Sequence, residues 1–539
     1  MPPTTVDRLP AAVLYQGMRR ARILGQYFTP EPVVELCYGM LRALDPDTEN
    51  PLIVDPACGE GAFLSYALGH EITTPDRLFG IEKDPEVAAA WEHRDVGGLA
   101  NLDIGDGLCM SVRPLAQSPP LPVAFDWVVG NPPFGTRCLA TDPGSLGHFT
   151  ISAGRQLDSY PVEILFLERF WQLARPGGYV AIIIPDGILA NARLSYVREW
   201  LSGRAAVKAV VSLPQHTFQR TGAASKASIL VFQRNRQDAQ REGEAPAEPF
   251  CTDGRGSSGG SPSPRTRARI FMAALDSRSR LSDGISGLLR LFPHSAIRNP
   301  KSAIECPPWA VFTVRIHDPG DRLDPAYHHP RYAENLRVLR AMPDVVTFGE
   351  LIEYTTYGQV GGREFAQSGV RYLTPANLVT TPEGFVVGVD IRSPERFVAP
   401  GSRNDPARSR LRKGDLLLSN SGVGCIGRPA VFCSDEPCNI SQHVNLIRVK
   451  GIEPEYLAVY LQTKFARLQI HREKCGVGPC GLNFDRIRSI LIPLPPEGVR
   501  REIVDGYLRL STHSRESARL IPALVERLES IFAEGTYEP

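Results

Sequence analysis

The sequence predicts two successive folds: an α/β domain on a parallel sheet, then an α+β domain closed by a long helix. Three observations carry this expectation. From about residue 20 to 235, helical patterns alternate with short apolar runs: "PLIVD", "RLFGIE", "FDWVVGN", "GYVAIII", "AVVSLP" and "SILVFQR". Such alternation reads as a parallel sheet covered by helices. Residues 236–268 then turn rich in Gly, Ser, Pro and charge ("GSSGGSPSP"). From about 345 onward, strand-like runs such as "GVRYLT", "GDLLLSN" and "HVNLIRV" are separated by turns, and a helix-prone stretch closes the chain.

The domain limits follow: 1–235 for the first domain, with an extra strand at 269–275 ("RIFMAAL"), 236–268 as a linker or insertion, 276–344 as a connecting region, and 345–539 for the second domain. Glycine, serine and proline at this density mark a flexible segment. Residues 160–175, "YPVEILFLERFWQLAR", read as a core-facing helix stopped by "PGG". A chain of 539 residues is long enough for both domains. Its net charge of +1 and 42% apolar content neither demand nor exclude a nucleic-acid partner, because a local basic face is what matters. No apolar run reaches membrane-spanning length, and "MPPTTVDRLP" lacks the basic start and apolar core of a signal peptide. Eleven scattered cysteines suit free thiols in a reducing cytoplasm.

The first strand ends in "LIVDPACGEGAFL", an acid followed by Gly-x-Gly before a helix. Glycines let a backbone approach a ligand, and the helix N-terminus offers amides. A dinucleotide fingerprint would need a third glycine where Leu64 stands, and a phosphate loop would need Gly-Lys-Ser/Thr. The turn instead suits a cofactor with a cationic amino-acid end. Glu82, ending "FGIE", is placed to accept from two ribose hydroxyls. Asp106, in "LDIGDGL", can accept from an exocyclic adenine amine.

The run "FDWVVGNPPFG" ends a buried-looking strand in two prolines. A conjugated NH2 is a poor nucleophile until two acceptors draw its hydrogens and free the lone pair. The Asn131 side-chain oxygen and the Pro132 carbonyl, fixed by Pro133, form such a pair, and Phe134 offers a face for stacking a base. These residues fix a planar NH2, not the polymer that carries it.

"NPPF" resembles the catalytic motif of S-adenosylmethionine-dependent amino-methyltransferases. "GQYFTP" (25–30) resembles the N-terminal motif of DNA adenine methyltransferases, and the order GQYFTP, DPACGEG, NPPF, recognition region is similar to their gamma arrangement, seen in type I modification subunits and type IIG enzymes. The resemblance implies a methyltransferase Rossmann-like sheet and S-adenosylmethionine as cofactor, held by Gln26, Tyr27, Thr29, Pro30, Asp55, Ala57, Gly59, Gly61, Glu82 and Asp106. It implies Asn131, Pro132, Pro133 and Phe134 around a flipped-out adenine, with Phe218 as a second stacking aromatic. Residues 136–159 are expected either to order around the flipped base or to be an ordinary solvated loop.

The second domain resembles a target-recognition domain of type I specificity subunits, through "FGELIEY", "YLTPANL", "LRKGDLLLSNSGVGCIGRPAVF", "ISQHVNLIRV" and "LNFDRIRSILIPLPPEGVRREI". The closing helix resembles the spacer helix of that family. The resemblance implies duplex DNA as partner, and it allows a separate restriction or defence subunit and pairing of two chains through the helix. Arg392, Arg396, Arg403, Arg408, Arg410, Arg412 and Lys413 form a basic stretch suited to phosphate contacts, with Arg408, Arg410, Arg412 and Lys413 the named candidates. The pairs Cys433/Cys438 and Cys475/Cys480 sit at the wide edge of zinc-finger spacing, and no metal is assigned. Other readings are a glutamine-amide or cytosine-N4 methyltransferase and a non-catalytic specificity component. The residues before GQYFTP are too few for a nuclease, so any cleavage is expected of a separate partner.

Overall fold

The computed structural model describes residues 28–89, 91, 96, 98–99, 101–108, 124–139, 149–151, 157–214, 217–218, 226–236, 269–275, 285–292, 304–306, 309–358, 365–422, 424–474, 481–510 and 514–534. Contacts divide the chain into two units, Met1–His329 and Pro330–Pro539.

The first unit opens with α1 (Glu31–Leu44), then β1 (Ile53–Asp55), α2 (Ala62–Gly69), β2 (Leu78–Glu82), β3 (Leu102–Ile104) and β4 (Phe125–Gly130). A small ribbon of β5 (Arg137–Leu139) and β6 (Ser159–Pro161) leads into α3 (Val162–Leu173) and β7 (Ala174–Pro185). Next come α4 (Ser195–Arg204), β8 (Ala205–Ser212), β9 (Ala227–Arg234), β10 (Arg269–Leu275), α5 (Ile285–Leu291), β11 (Ile304–Cys306) and β12 (Trp309–Arg315). Ten of these strands form one sheet, in the order β11-β12-β10-β8-β9-β7-β4-β1-β2-β3.

All six apolar runs are strands, and the sheet lies between two helical layers. Alternating side chains prove the layering. Trp127, Val129, Tyr179, Ala181 and Ile183 join the cluster that takes Val33, Leu36 and Tyr38 from α1 and Phe63 and Leu64 from α2. Val128, Val180, Ile182 and Ile184 face the other cluster, with Ile164, Leu165 and Phe170 of α3 and Val197 of α4. Strands covered on both faces read as continuous apolar runs, as these do.

The expected parallel sheet is in fact mixed. β1, β2, β3, β4 and β7 are parallel neighbours, but β9 runs antiparallel to both β7 and β8. Parallel neighbours need a long crossover, whereas the short link 213–226 returns the chain beside β8 as antiparallel neighbours allow. β10 pairs parallel with β8, and β12 pairs antiparallel with β10. The sheet therefore continues past residues 236–268, which interrupt this unit and do not separate it from the next. The span 276–344, read as a connection, supplies two further strands of the same sheet.

The second unit begins with α6 (Pro330–Arg340), and β13 (Val345–Thr347) pairs with β23 (Leu491–Pro493). Its four-stranded antiparallel sheet has the order β14 (Ile352–Tyr357), β22 (Val444–Val449), β19 (Leu416–Ser419), β20 (Pro429–Val431). A three-stranded sheet joins β18 (Phe397–Val398), β15 (Val370–Leu373) and β21 (Cys438–Ile440), and β16 (Leu378–Thr380) pairs with β17 (Val386–Val389). Helices α7 (Pro454–Tyr460), α8 (Lys464–Glu473), α9 (Glu497–Leu508) and α10 (Arg515–Glu534) complete it. The expected single closing helix is thus two. They fold back on each other: a Cβ on Gly506 would lie 2.5 Å from Leu524, and Arg527 pairs with Glu502 at 3.2 Å. The apolar stripe of α10 (Ile521, Val525, Leu528, Phe532) is buried in this unit's own core, with Tyr460, Phe465 and Tyr507. No described helix is long and apolar enough to cross a membrane.

Candidate active site and nucleic-acid interface

The C-terminal ends of β1, β2 and β4 lie side by side, as their register requires. Loops leaving this edge carry the sequence-singled residues together. After β1, Gly59 and Gly61 have φ of +56° and +86°, the left-handed region that favours glycine. A Cβ on Gly59 would meet nothing within 4 Å, so the turn presents open backbone.

Asp55 is buried, and its Oδ1 accepts from the Ala57 N–H at 3.0 Å. Burial pushes its carboxyl up to about 8; the Ala57 N–H opposes this and the nearby Glu82 adds to it. Glu82 is also buried. Its Oε2 accepts from the Gly59 N–H at 2.9 Å and its Oε1 from the Asp84 N–H at 2.8 Å. The acid that ends β2 thus holds the glycine turn after β1, and burial raises its pKa against those two N–H groups. Asp106 accepts from the Leu108 N–H at 3.1 Å and pairs with exposed Lys83 at 2.7 Å.

Catalytic-motif geometry begins at Gly130, whose Cβ position would lie 2.4 Å from Asp55 Oδ1. The acid of the cofactor turn and the entry to the Asn131 loop therefore touch. Asn131 Nδ2 donates to the Thr29 hydroxyl at 3.1 Å across 102 residues, joining the NPPF and GQYFTP segments. Pro30 caps α1 and accepts from the Val33 N–H at 2.9 Å, which anchors Thr29. Gln26 and Tyr27 lie outside the described residues. Pro132 is buried and Pro133 half-buried. Phe134 and Phe218 are 4% and 1% exposed and belong to one apolar cluster. As the chain stands, neither presents an open face.

Several residues that hold this site were not legible in the sequence. Trp91 Nε1 donates to the Gly59 carbonyl at 2.8 Å. The charged pair Glu168–Arg169 sits buried inside the apolar helix α3. Arg169 Nε donates to the Gly107 carbonyl at 2.8 Å, beside Asp106. Glu168 accepts from the Thr150 and Ile151 N–H groups at 2.8 and 2.7 Å, and Trp200 Nε1 donates to the Thr150 hydroxyl at 2.8 Å. Of the 136–159 segment, residues 150–151 are therefore pinned to α3 and α4, while 140–148 and 152–156 lie outside the described residues. Charges in the middle of "ILFLERFWQL" were the available signal, since a buried charge needs partners.

In the second unit the basic stretch is not uniform. Arg410 forks onto buried Asp405, which also accepts from the Gly401 N–H and the Asn439 amide. Burial raises the Asp405 pKa, but Arg410 and the two N–H donors outweigh it, and the net shift is downward. Arg410 is thus a structural partner first. Arg392 reaches Glu436 at 3.8 Å, and Arg396 lies 5.4 Å from the Phe365 ring centre. Arg403, Arg408, Arg412 and Lys413 have exposed side chains. Cys438 is buried in β21, Cys433 is exposed, and Cys475 and Cys480 lie outside the described residues.

Comparison with known proteins places both units in families. Residues 16–245 match the family described as N-6 DNA Methylase, and residues 406–527 match the type I restriction modification DNA specificity domain. The chain therefore carries an N-6 DNA methylase domain followed by a type I specificity domain. Its relatives include the StySPI type I restriction enzyme methylase subunit of Salmonella potsdam, 24% identical over 229 residues, 39% of this chain and 40% of that subunit. The defense against restriction protein B of Escherichia phage P1 is 25% identical over 215 residues, 39% of this chain and 8% of that protein. The type IIG restriction endonuclease BpuSI superposes with a TM-score of 0.45 at 14% identity, covering 95% of this chain and 67% of that structure. The chain spans less than half the length of these two sequence relatives.

Proposed function

We propose that this protein is a site-specific DNA methyltransferase that transfers a methyl group from S-adenosylmethionine to N6 of an adenine flipped out of duplex DNA. The observation that carries the reading is the Thr29–Asn131 hydrogen bond, set beside the Asp55–Gly130 contact. Together they put the two methyltransferase motifs and the cofactor turn at one edge of the sheet.

The residues fit the cofactor. The open Gly59 turn leaves room for a ligand's backbone-hugging end, and Asp55 is an acid that a cationic amino group would draw into its charged form. Glu82 sits at the end of β2, where its carboxylate would meet ribose hydroxyls, and Asp106 is half-buried in the loop after β3, where it would meet an adenine amine. When bound, S-adenosylmethionine supplies an electrophilic methyl group on its sulfonium. The protein's part is to orient the acceptor nitrogen. With Nδ2 of Asn131 given to Thr29, the amide's Oδ1 is the end that accepts from the target NH2, and the Pro132 carbonyl is the second acceptor. Phe134 and Phe218 stack the base once their shared cluster opens to admit it. The second unit supplies the DNA target, with Arg403, Arg408, Arg412 and Lys413 on phosphates. The reading extends to a modification or defence role in a reducing cytoplasm, with a restriction or defence subunit as a possible partner.

The test is tritiated-methyl transfer to unmethylated duplex DNA, followed by modification-sensitive sequencing. Transfer at one sequence, lost in Asn131→Ala, is expected. Transfer to a glutamine-bearing peptide but not to DNA would overturn the reading, as would full activity of Asn131→Ala.

A further inference from the structure

The loop after β3 carries Asp106 and is held along its length. At its entry the Gly105 N–H donates to the Glu82 carbonyl at 2.9 Å, which prolongs the pairing of β3 with β2. At its exit Leu108 is buried in the cluster that includes Ile164, Leu165 and Phe170 of α3. Between them stands the Gly107–Leu108 peptide. Its carbonyl accepts from Arg169 Nε at 2.8 Å, and its N–H donates to Asp106 Oδ1 at 3.1 Å. A trans peptide is planar and points these two groups in opposite directions. Arg169, one peptide plane and the Asp106 carboxylate are therefore connected in series.

Lys83 also touches Asp106, through Oδ2 at 2.7 Å, but its side chain is 75% exposed. An ion pair at such a surface does little to fix a direction, since water competes for both partners. The inner tie is different. Arg169 is 3% exposed, on a helix where Phe166, Leu167 and Phe170 are also buried. A buried guanidinium is costly unless acceptors meet it, and any carbonyl could do that. Here Nε meets the carbonyl of the same peptide that donates to Asp106. Hydrogen bonds in series polarise one another in a dry interior, so the arginine makes the Leu108 N–H a stronger donor. The same turn of α3 also reaches the entry of the Asn131 loop: a Cβ on Gly130 would lie 3.1 Å from Phe170 Cζ. One helix thus sets the position of Asp106 and of that entry together.

Resting on the methyltransferase reading above, we propose that Arg169 is a positioning residue for cofactor specificity: through the Gly107–Leu108 peptide it aims the Asp106 carboxylate at the 6-amino group of the cofactor's purine. It acts through Asp106 and not on the cofactor itself. A carboxylate accepts from a 6-amino group, whereas a 6-oxo purine sets another acceptor in the same place, and two acceptors repel. Selection of an adenosyl over an inosyl cofactor then depends on where Asp106 points, and so on Arg169.

The experiment is calorimetric binding of S-adenosylhomocysteine and S-inosylhomocysteine to the full chain, which needs no methyl transfer. The ratio of the two affinities is the readout, because a merely structural loss lowers both affinities and leaves their ratio alone. The wild type is expected to prefer the adenosyl compound by about tenfold or more. Arg169→Met fills much of the same space without a donor and is expected to reduce that preference at least about fivefold. Arg169→Gln carries an N–H at the position of the arginine Nε, counted along the side chain, and is expected to stay within about twofold of wild type. Should Met fail to fold, Arg169→Lys, whose nitrogen lies one bond farther out, is expected to lose at least about threefold of the preference. An unchanged ratio in Met, or in Lys where Met does not fold, would overturn the inference. So would equal losses of the ratio in Gln and Met, or a wild type that binds both compounds alike. A wild type that binds neither compound sinks the methyltransferase reading, and this inference with it.

Discussion

Gly107→Ala tests the packing that seats Asp106 against the cofactor turn. A Cβ built on Gly107 lies 1.8 Å from the Pro56 carbonyl oxygen, and an ordinary contact begins at 3.4 Å. The difference, 3.4 − 1.8, requires the two backbones to part by about 1.6 Å. Neither can move alone. Pro56 is held in the turn between Asp55 and Ala57, and Gly107 is held through its carbonyl by buried Arg169. Overpacking costs about 1–3 kcal/mol, and a weakened hydrogen bond from a buried guanidinium about 1.5–3 kcal/mol more. The sum is about 2.5–6 kcal/mol, confined to the first unit. All five tryptophans (91, 127, 171, 200 and 309) lie in that unit, so urea unfolding followed by tryptophan fluorescence reports it selectively. The expected outcome is an early fluorescence transition and at least tenfold weaker S-adenosylmethionine binding by calorimetry, about 1.4 kcal/mol. A transition midpoint at the wild-type urea concentration, with cofactor affinity within about twofold, would refute the close-packing argument.

Three other outcomes follow from the same geometry. The Asp55 carboxyl rises from 3.8 to about 8 on folding, so the folded chain holds a proton the unfolded chain releases; its contribution to stability is full below about pH 4 and lost as pH climbs toward 8. Cofactor binding that ionises Asp55 should then release protons at pH 7, seen as buffer-dependent calorimetric heats that vanish in Asp55→Asn; identical heats in all buffers for the wild type would count against it. Trp91→Phe keeps the ring but removes the donor to the Gly59 carbonyl, and should weaken cofactor binding by about 0.5–1.5 kcal/mol with little effect on DNA binding; an unchanged cofactor affinity contradicts the assignment. Lys413→Ala should reduce the salt dependence of DNA binding by about one phosphate contact, whereas Arg410→Ala should mainly lower the thermal stability of the second unit by stranding Asp405; the reverse pattern would show that Arg410 is the phosphate ligand.

What could be read from the sequence was what lies in short windows. The six apolar strand runs, the glycine turn and the Asn-Pro-Pro loop are each local, and the sheet assembles them with the expected ends together. What could not be read depends on which distant segment arrives. Nothing in "SILVFQR" states its direction, because an antiparallel strand buried on both faces carries the same apolar run as a parallel one. Nothing near Trp91 names Gly59 as its acceptor, 32 residues away. The two base-stacking candidates illustrate a further limit. Phe134 and Phe218 are apolar residues that serve equally as core, and in this structure they pack as core. The break in the closing helix was missed for a nearer reason: the sequence "STHS" at 511–514 places polar, turn-favouring residues between two amphipathic stretches, and the second stretch buries its stripe internally. That leaves pairing of two chains through this helix with less apolar surface than the sequence implied.

The interruption at 236–268 has a practical meaning. β9 and β10 flank β8 on either side, so the chain leaves at Arg234 and returns at Arg269 across two strand spacings, about 10 Å. β9 ends opposite Ala205, at the start of β8, while the Asn131 and Asp55 loops leave the opposite rim. Lengthening such a loop costs only about 0.6 kcal/mol per doubling. A reporter protein whose own termini sit about 10 Å apart could therefore be spliced into this sheet, on the rim away from the Asn131 and Asp55 loops, giving a fluorescent chain in which the sheet stays whole.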